Sequence, residues 1–396
     1  MNSPIFALRD AIGFKVEEVA LMGGWSIARQ KEIEAGADLL ASEVDVLSAL
    51  LGADVEAVVE GLVQPMERPL RALLKSQAQH LDARARFSLA EASTVAREVQ
   101  ELRGRLGQTT GLGQVGHFSA NGDYGHPKEG VPERLARAVR KHLGLGTGPV
   151  GSVQRQVLDP LGIVRLWVEL PPEIDALAFA SAETGAVIVC NPHGEHMGTA
   201  FGRRMALAHE VCHLLFDRPE MTRFVKACRI DVGVVGTHRD WFERIERRAR
   251  AFAVYLLAPA PAVCARWEYS EGRPPRERVR DVMSTFGIGY EAARAHLANV
   301  NCLDVRVPLD RVPTHPDATW ESGDPAPEPP TLPGNWLRAG ELARLAEQAV
   351  VAGHISSRLA ADLVRGPLRP PIGWATEESA AGYRTTSMGD GTVESH

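Results

Sequence analysis

The segment Met205-Ala206-Leu207-Ala208-His209-Glu210-Val211-Cys212-His213-Leu214-Leu215-Phe216 sets two imidazoles four residues apart, with a carboxylate beside the first. No Pro or Gly interrupts it, and its residues are mostly good helix formers. On a helix, positions four apart share a face, so His209 and His213 would offer two ring nitrogens to one ion. Glu210 would be turned about 100° from them, able to reach a water on the metal without ligating it. Zinc suits two imidazoles and lowers the pKa of bound water towards about 7; a carboxylate can then take the proton as hydroxide attacks a carbonyl. The chemistry to expect is hydrolysis.

A catalytic zinc needs a third protein ligand and an open position. Glu246 is the first choice, from the run Glu246-Arg247-Arg248-Ala249-Arg250-Ala251-Phe252-Ala253-Val254-Tyr255-Leu256-Leu257-Ala258-Pro259. Ala249, Phe252-Ala253 and Leu256-Leu257 mark the buried face of a helix, and Glu246 falls one turn earlier on the same stripe. An acid on a buried stripe needs a partner, which a metal would supply. Glu243, a turn earlier still, and Asp217, which continues the series from His209 and His213, remain alternatives.

Other chemistry-bearing residues carry less. Gly111-Leu112-Gly113-Gln114-Val115-Gly116 matches GxGxxG, but without a preceding strand or a clear following helix it reads as a loop rather than a nucleotide cradle. His193 and His196 follow a strand-like segment and would be solvated loop residues or substrate contacts. Cys212 points away from the two histidines and reads as a small buried residue. Trp25 reads as a core residue. The five cysteines are widely spaced with no CxxC pair, against both a thiolate zinc site and a disulfide framework, and so consistent with a reducing compartment. The first residues lack the pattern of a signal peptide, and no run is long and apolar enough to span a membrane. A cytoplasmic protein without membrane contact is therefore expected. The net charge of -6 offers no general attraction for nucleic acid.

The elements that must position these residues read as α+β, mostly helical. Residues 1–62 form an all-α module, with apolar residues at helical spacing interrupted at Gly13, Gly23-Gly24, Gly36 and Gly52, and Ser26 and Ser42 placed as N-caps. Residues 63–130 form a helical connector and a glycine-rich loop. The long amphipathic stretch around 81–106 would be a connector or an oligomer contact, as in a homodimer. Residues 131–305 form the main body: a helix from Pro132 to Leu143, strands at 163–168, 177–182 and 186–190 with a hairpin turn at Glu183-Thr184-Gly185, then helices at about 201–216, 240–257 and 275–300. Residues 306–335 read as an extended Pro-rich linker, 336–370 as a helical pair turning at Gly353-His354-Ile355-Ser356, and 371–396 as a disordered tail.

The region of about 131–300 resembles the ImmA/IrrE family of metallopeptidases. The resemblance rests on Leu143-Gly144-Leu145-Gly146, Ala186-Val187-Ile188-Val189-Cys190-Asn191, Arg203-Arg204, Leu207-Ala208-His209-Glu210 and His213-Leu214-Leu215-Phe216-Asp217. The family's ExxAxxFAxxLLxP signature stands as Glu246, Ala249, Phe252-Ala253, Leu256-Leu257 and Pro259; Arg250 and Ala258 depart from it, at positions peripheral to the metal. The resemblance implies a zincin-like domain, zinc on His209, His213 and Glu246, and Glu210 as general base. Residues 4–62 resemble the Xre-like helix-turn-helix family through Leu8, Val19-Ala20, the Gly23-Gly24-Trp25-Ser26 turn, Ile33 and Leu47-Ser48-Ala49-Leu50-Leu51-Gly52, with Val16 departing from it. In such a module Ser26, Arg29 and Gln30 would read bases. Against this stand four basic residues to eleven acidic over 1–62, a poor balance for phosphate neutralisation.

The function expected is a zinc endopeptidase that cuts a repressor or other regulatory protein in a mobile-element, stress or defence pathway. The alternative is a DNA-binding regulator whose peptidase-like domain senses a ligand or protein. Self-cleavage, for instance within 107–130, is a third reading.

Overall fold

The structure is a computed structural model that describes residues 3–51, 58–59, 83–108, 110, 112, 114–115, 118, 131–217, 237–304, 318–327 and 337–366. The expectations for 63–82, most of the glycine-rich loop, most of the Pro-rich stretch and the tail lie outside these residues. The described chain is mostly helical with one small mixed sheet. None of its helices is long and apolar enough to cross a membrane.

Four short helices come first: α1 (Pro4–Ile12), α2 (Val16–Gly23), α3 (Ile27–Glu34) and α4 (Ala41–Leu51). Their ends follow the local chemistry. The Ser3 hydroxyl accepts from the Phe6 amide and Pro4 opens α1, while Glu18 accepts the Lys15 amide at 2.7 Å at the start of α2. Both helices stop at glycines with positive φ, Gly13 at 82° and Gly24 at 77°. Leu8, Val19, Ile33, Leu47, Leu50 and Leu51 bury the apolar stripes together.

The long helix α5 (Ala83–Arg105) is buried along most of its length. It packs on α4 and on the sheet strands β1 (Val164–Trp167) and β3 (Gly185–Cys190). Its sequence suggested a connector or an oligomer contact; in the structure Leu89, Ala92, Val95, Ala96 and Val99 sit in the chain's own core. Arg86, Glu91 and Arg103 are buried with them: Arg86 reaches the Gly13 carbonyl and Glu18, and Arg103 reaches the Gly162 carbonyl.

With β2 (Ala176–Ser181), the strands form a three-stranded sheet in the order β1-β3-β2, β1 parallel and β2 antiparallel to β3. The β2–β3 turn occurs where the sequence places it; Gly185 has φ 68° and the Ser181 hydroxyl accepts from the amides of Glu183 and Thr184. Side chains alternate between faces. Val164, Leu166, Leu177, Phe179, Val187 and Val189 join the core that holds α1–α5. Ile163, Trp167, Ala176, Ala178, Ile188 and Cys190 join a second core on the other face.

That second core contains α6 (Val131–His142), α7 (Ala200–Phe216), α8 (Thr237–Leu257), α9 (Ala260–Tyr269), α10 (Pro275–Phe286) and α11 (Tyr290–Asn299). α7 lies chiefly against β2, and α8 packs against both α7 and α6. Short α12 (Ala318–Gly323) follows, then α13 (Glu341–Val351) and α14 (Ser357–Arg365), which form the expected pair around Gly353 and return to α5 and β1.

One segment departs from its sequence reading. Residues 318–324 fall within the stretch expected to be an extended linker, yet Trp320 and Asp324 are buried. The Arg204 guanidinium stacks on Trp320, with 4.3 Å from Cζ to the ring centroid, and donates to Asp324 at 2.8 Å. Arg203 pairs with Glu321, whose other oxygen accepts the Ala200 amide at 2.8 Å. The proline-rich composition hid a docked turn whose arginine partners lie more than a hundred residues away.

Candidate metal centre

α7 starts at Thr199, whose hydroxyl accepts from the Gly202 amide at 3.1 Å. The preceding loop passes so close that a Cβ on Gly202 would lie 1.7 Å from the His196 carbonyl oxygen. The helix then runs unbroken to Asp217, burying Leu207, Ala208, Val211, Cys212, Leu214 and Leu215. Small Ala176 and Ala178 on the sheet let it approach closely.

The helical spacing brings His209 and His213 together as expected: their Nε2 atoms are 2.9 Å apart. From α8, Glu246 sets Oε2 3.3 Å from His209 Nε2 and Oε1 3.4 Å from His213 Nε2. One ligand atom from each of the three lies within 4.8 Å of the others. Their side chains are only 9–12% exposed. Burial pushes the Glu246 carboxyl up, but the hydrogen bonds and charge of the two histidines outweigh this and hold it well below the usual carboxylate range. For His213, burial pulls the pKa down and Glu246 beside it raises it further, to a net increase.

Asp217 and Glu243, the alternative third ligands, are placed elsewhere. Glu243 is exposed one turn before Glu246. Asp217 lies behind His213: its Oδ2 is 3.0 Å from His213 Nδ1, and its Oδ1 pairs with Arg248 of α8. The carboxylate, already held by Arg248, favours a proton on Nδ1, which leaves the Nε2 lone pair facing Glu246 and His209. Arg248 was not singled out in the sequence. The only signal was an arginine two residues after Glu246 in a helix with a buried stripe.

The donor set fits zinc. Bonds of about 2.05 Å in a tetrahedral arrangement put ligand atoms about 3.3 Å apart. The two histidine–glutamate distances, 3.3 and 3.4 Å, match this, and the 2.9 Å between the histidines is a few tenths shorter. Glu210 is buried next to this group. Its charge raises the pKa of His213 and of the thiols of Cys190 and Cys212. Both thiols are pushed up to about 12, mainly by burial, and so stay protonated.

His193 and His196 stand outside the converging group. His196 Nδ1 is 2.7 Å from Asp175 and His193 Nε2 is 3.7 Å from Glu169, both rings more than half exposed. Their loop is anchored by buried Asn191, whose Nδ2 donates to the Leu170, Pro171 and Ile174 carbonyls.

The three residues expected to read DNA are occupied within their own module. The Ser26 hydroxyl caps α3, accepting from the Arg29 amide at 3.1 Å. Arg29 makes a two-pronged contact with Glu43, both arms 2.8 Å, and donates to the Asp38 carbonyl at 2.7 Å. Gln30 is fully buried; it accepts from Trp25 Nε1 at 2.9 Å and donates to Glu34 at 2.8 Å. Base contact by Gln30, which the resemblance implies, would require its side chain to leave this buried position. The cause is Trp25, whose indole needs a buried acceptor. Gly23 makes room for that ring, since a Cβ there would meet it at 2.4 Å.

No family model, curated protein or solved structure matches this chain.

Proposed function

We propose that the chain is a zinc-dependent endopeptidase, with His209, His213 and Glu246 as metal ligands and Glu210 as general base. The observation that carries this reading is the convergence of two imidazole nitrogens and one carboxylate from two helices on a single buried point. A structural ion pair has no need of a second imidazole there, nor of a carboxylate and guanidinium arranged to orient the first. Zinc bound there supplies Lewis acidity towards water and a peptide carbonyl. The Glu210 carboxylate accepts a proton from the attacking water and returns it to the amide nitrogen as the C–N bond breaks, which leaves a carboxylic acid and an amine. β2 pairs only with β3 among the described residues, so its outer edge offers backbone groups to an extended substrate beside α7. That the substrate is a repressor or another regulatory protein follows from the sequence resemblance to ImmA/IrrE peptidases.

Two measurements on purified protein test this. Elemental analysis is expected to find about one zinc per chain in wild type, lost in His213→Ala and Glu246→Ala and retained in Glu210→Gln. New protein N-termini generated in a cell lysate are then expected with wild type and absent with Glu210→Gln. A zinc-free wild type after reconstitution, or the same cleavages with Glu210→Gln, would sink the assignment.

A further inference from the structure

At the opposite edge of the sheet from β2, a cleft of about 700 Å³ opens between the C-terminal end of α5, the turn at 154–162, β1 and the start of α13. Its volume suits a small organic ligand rather than a bare inorganic ion. The charges around it do not balance. Arg103 and Arg344 share one carboxylate: Arg103 is 3.1 Å from Glu341 and Arg344 is 2.7 Å from it. Asp159, the other acid in the lining, accepts from Gln154 Nε2 at 2.6 Å. Arg165, half-buried on β1, has no carboxylate partner among the described residues; its guanidinium lies over the Trp167 ring, 5.3 Å from the centroid.

A guanidinium in a concave, partly desolvated position favours an anion strongly, and its fork matches the oxygens of phosphate. Gln154 adds a second demand. With its Nε2 committed to Asp159, its buried Oε1 has no donor among the described residues. A ligand that satisfies both carries an anionic group for Arg165 and an O–H or N–H donor for Gln154. We propose that this cleft binds a small phosphorylated metabolite of nucleotide size, with its phosphate on Arg165 flanked by Arg103 and Arg344. This site shares no residue with the metal centre, and the proposal stands independently of peptidase activity.

Isothermal titration of the full chain with AMP tests it, with adenosine and inorganic phosphate as companion probes. AMP is expected to bind saturably, and adenosine, which lacks the anion, at least about tenfold more weakly. Inorganic phosphate is expected to compete with AMP. Arg165→Gln should weaken AMP binding by about tenfold or more with an unchanged circular dichroism spectrum. Arg344→Gln, on a half-exposed side chain, serves as the second variant should Arg165→Gln fold poorly, with a loss in the same direction. Absence of AMP binding, equal binding of adenosine, or full affinity in the folded variants would overturn the proposal.

Discussion

His213 illustrates how much of a candidate metal centre is decided behind the converging atoms. Its Nε2 faces His209 and Glu246, while Nδ1 meets Asp217, which Arg248 holds from the next helix. That chain orients the ring and favours the tautomer with its proton on Nδ1, so Asp217 meets His213 from behind rather than joining the converging group. Removing such a partner typically lowers metal affinity by about 10–100-fold, whereas removing a ligand abolishes the site. Asp217→Ala is therefore expected to retain zinc at high supply and to surrender it to a chelator about 10–100-fold more readily than wild type. Competition with a chromogenic chelator reads this directly. Zinc loss as complete as in His213→Ala would make Asp217 a ligand, and wild-type retention would deny it an orienting role. The meeting of His209 and His213 was legible because helical periodicity alone puts them on one face. Glu246 was legible as an acid on a buried stripe. Arg248 was not, because one helix's sequence does not say which acid its neighbour presents.

Among the elements, α6, α7, α8, α10 and α11 were legible close to their observed bounds, whereas α9 had no counterpart in the sequence reading; the legible ends have local causes. Glycines with positive φ stop α1, α2 and α10, and hydroxyl caps start α3, α7 and α14. The docking of α12 was hidden because it depends on distant partners. Buried Arg204 donates to Asp324 at 2.8 Å and to the carbonyls of Val150 and Gly287 at 2.7 and 3.1 Å. Burial lowers its pKa, opposed by Asp324. Asp324 also accepts the amides of Val153 and Gln154 at 3.0 and 3.2 Å. Breaking a buried pair leaves an uncompensated charge or unpaired donors, at a cost of about 3–5 kcal/mol. Arg204→Ala and Asp324→Ala should each lose about that much in urea unfolding, and the double variant clearly less than the sum, because the second change removes a group already stranded. Additive losses would mean that the two groups act separately and that α12 is held by Trp320 and Glu321 instead. The site has a stake in this, since the same contacts hold the first turn of the helix that carries both histidines.

At the scale of the molecule, the sheet is the shared floor of two cores, and this bears on whether the helical N-terminus behaves as a separate unit. Adjacent residues of β3 divide between the cores, Val187 and Val189 to the side of α1–α5, Ala186 and Ile188 to the side of α7 and α8. α5 carries the contact from α4 to β1 and β3, and α13 closes over α5 and β1. The sequence could not show this, because helical periodicity reveals that a face is buried without naming what buries it; the apolar stripe of α5 read equally well as an oligomer contact. Unfolding α1–α4 would strip α4 from the buried face of α5, and burying an apolar side chain there is worth about 1 kcal/mol or more for each of the larger ones. Loss of the sheet would open both cores together. The metal-free chain is accordingly expected to unfold in one calorimetric transition with matching calorimetric and van't Hoff enthalpies. Amides of Val19 in α2 and Leu207 in α7 should then share the slowest class of hydrogen exchange. Two resolved transitions, the upper one unchanged when residues 1–82 are deleted, would show instead that α5 can shed its helical partners without loss to the sheet. In that case the N-terminal helices are a free module, able to release Arg29 and Gln30 without disturbing the metal centre.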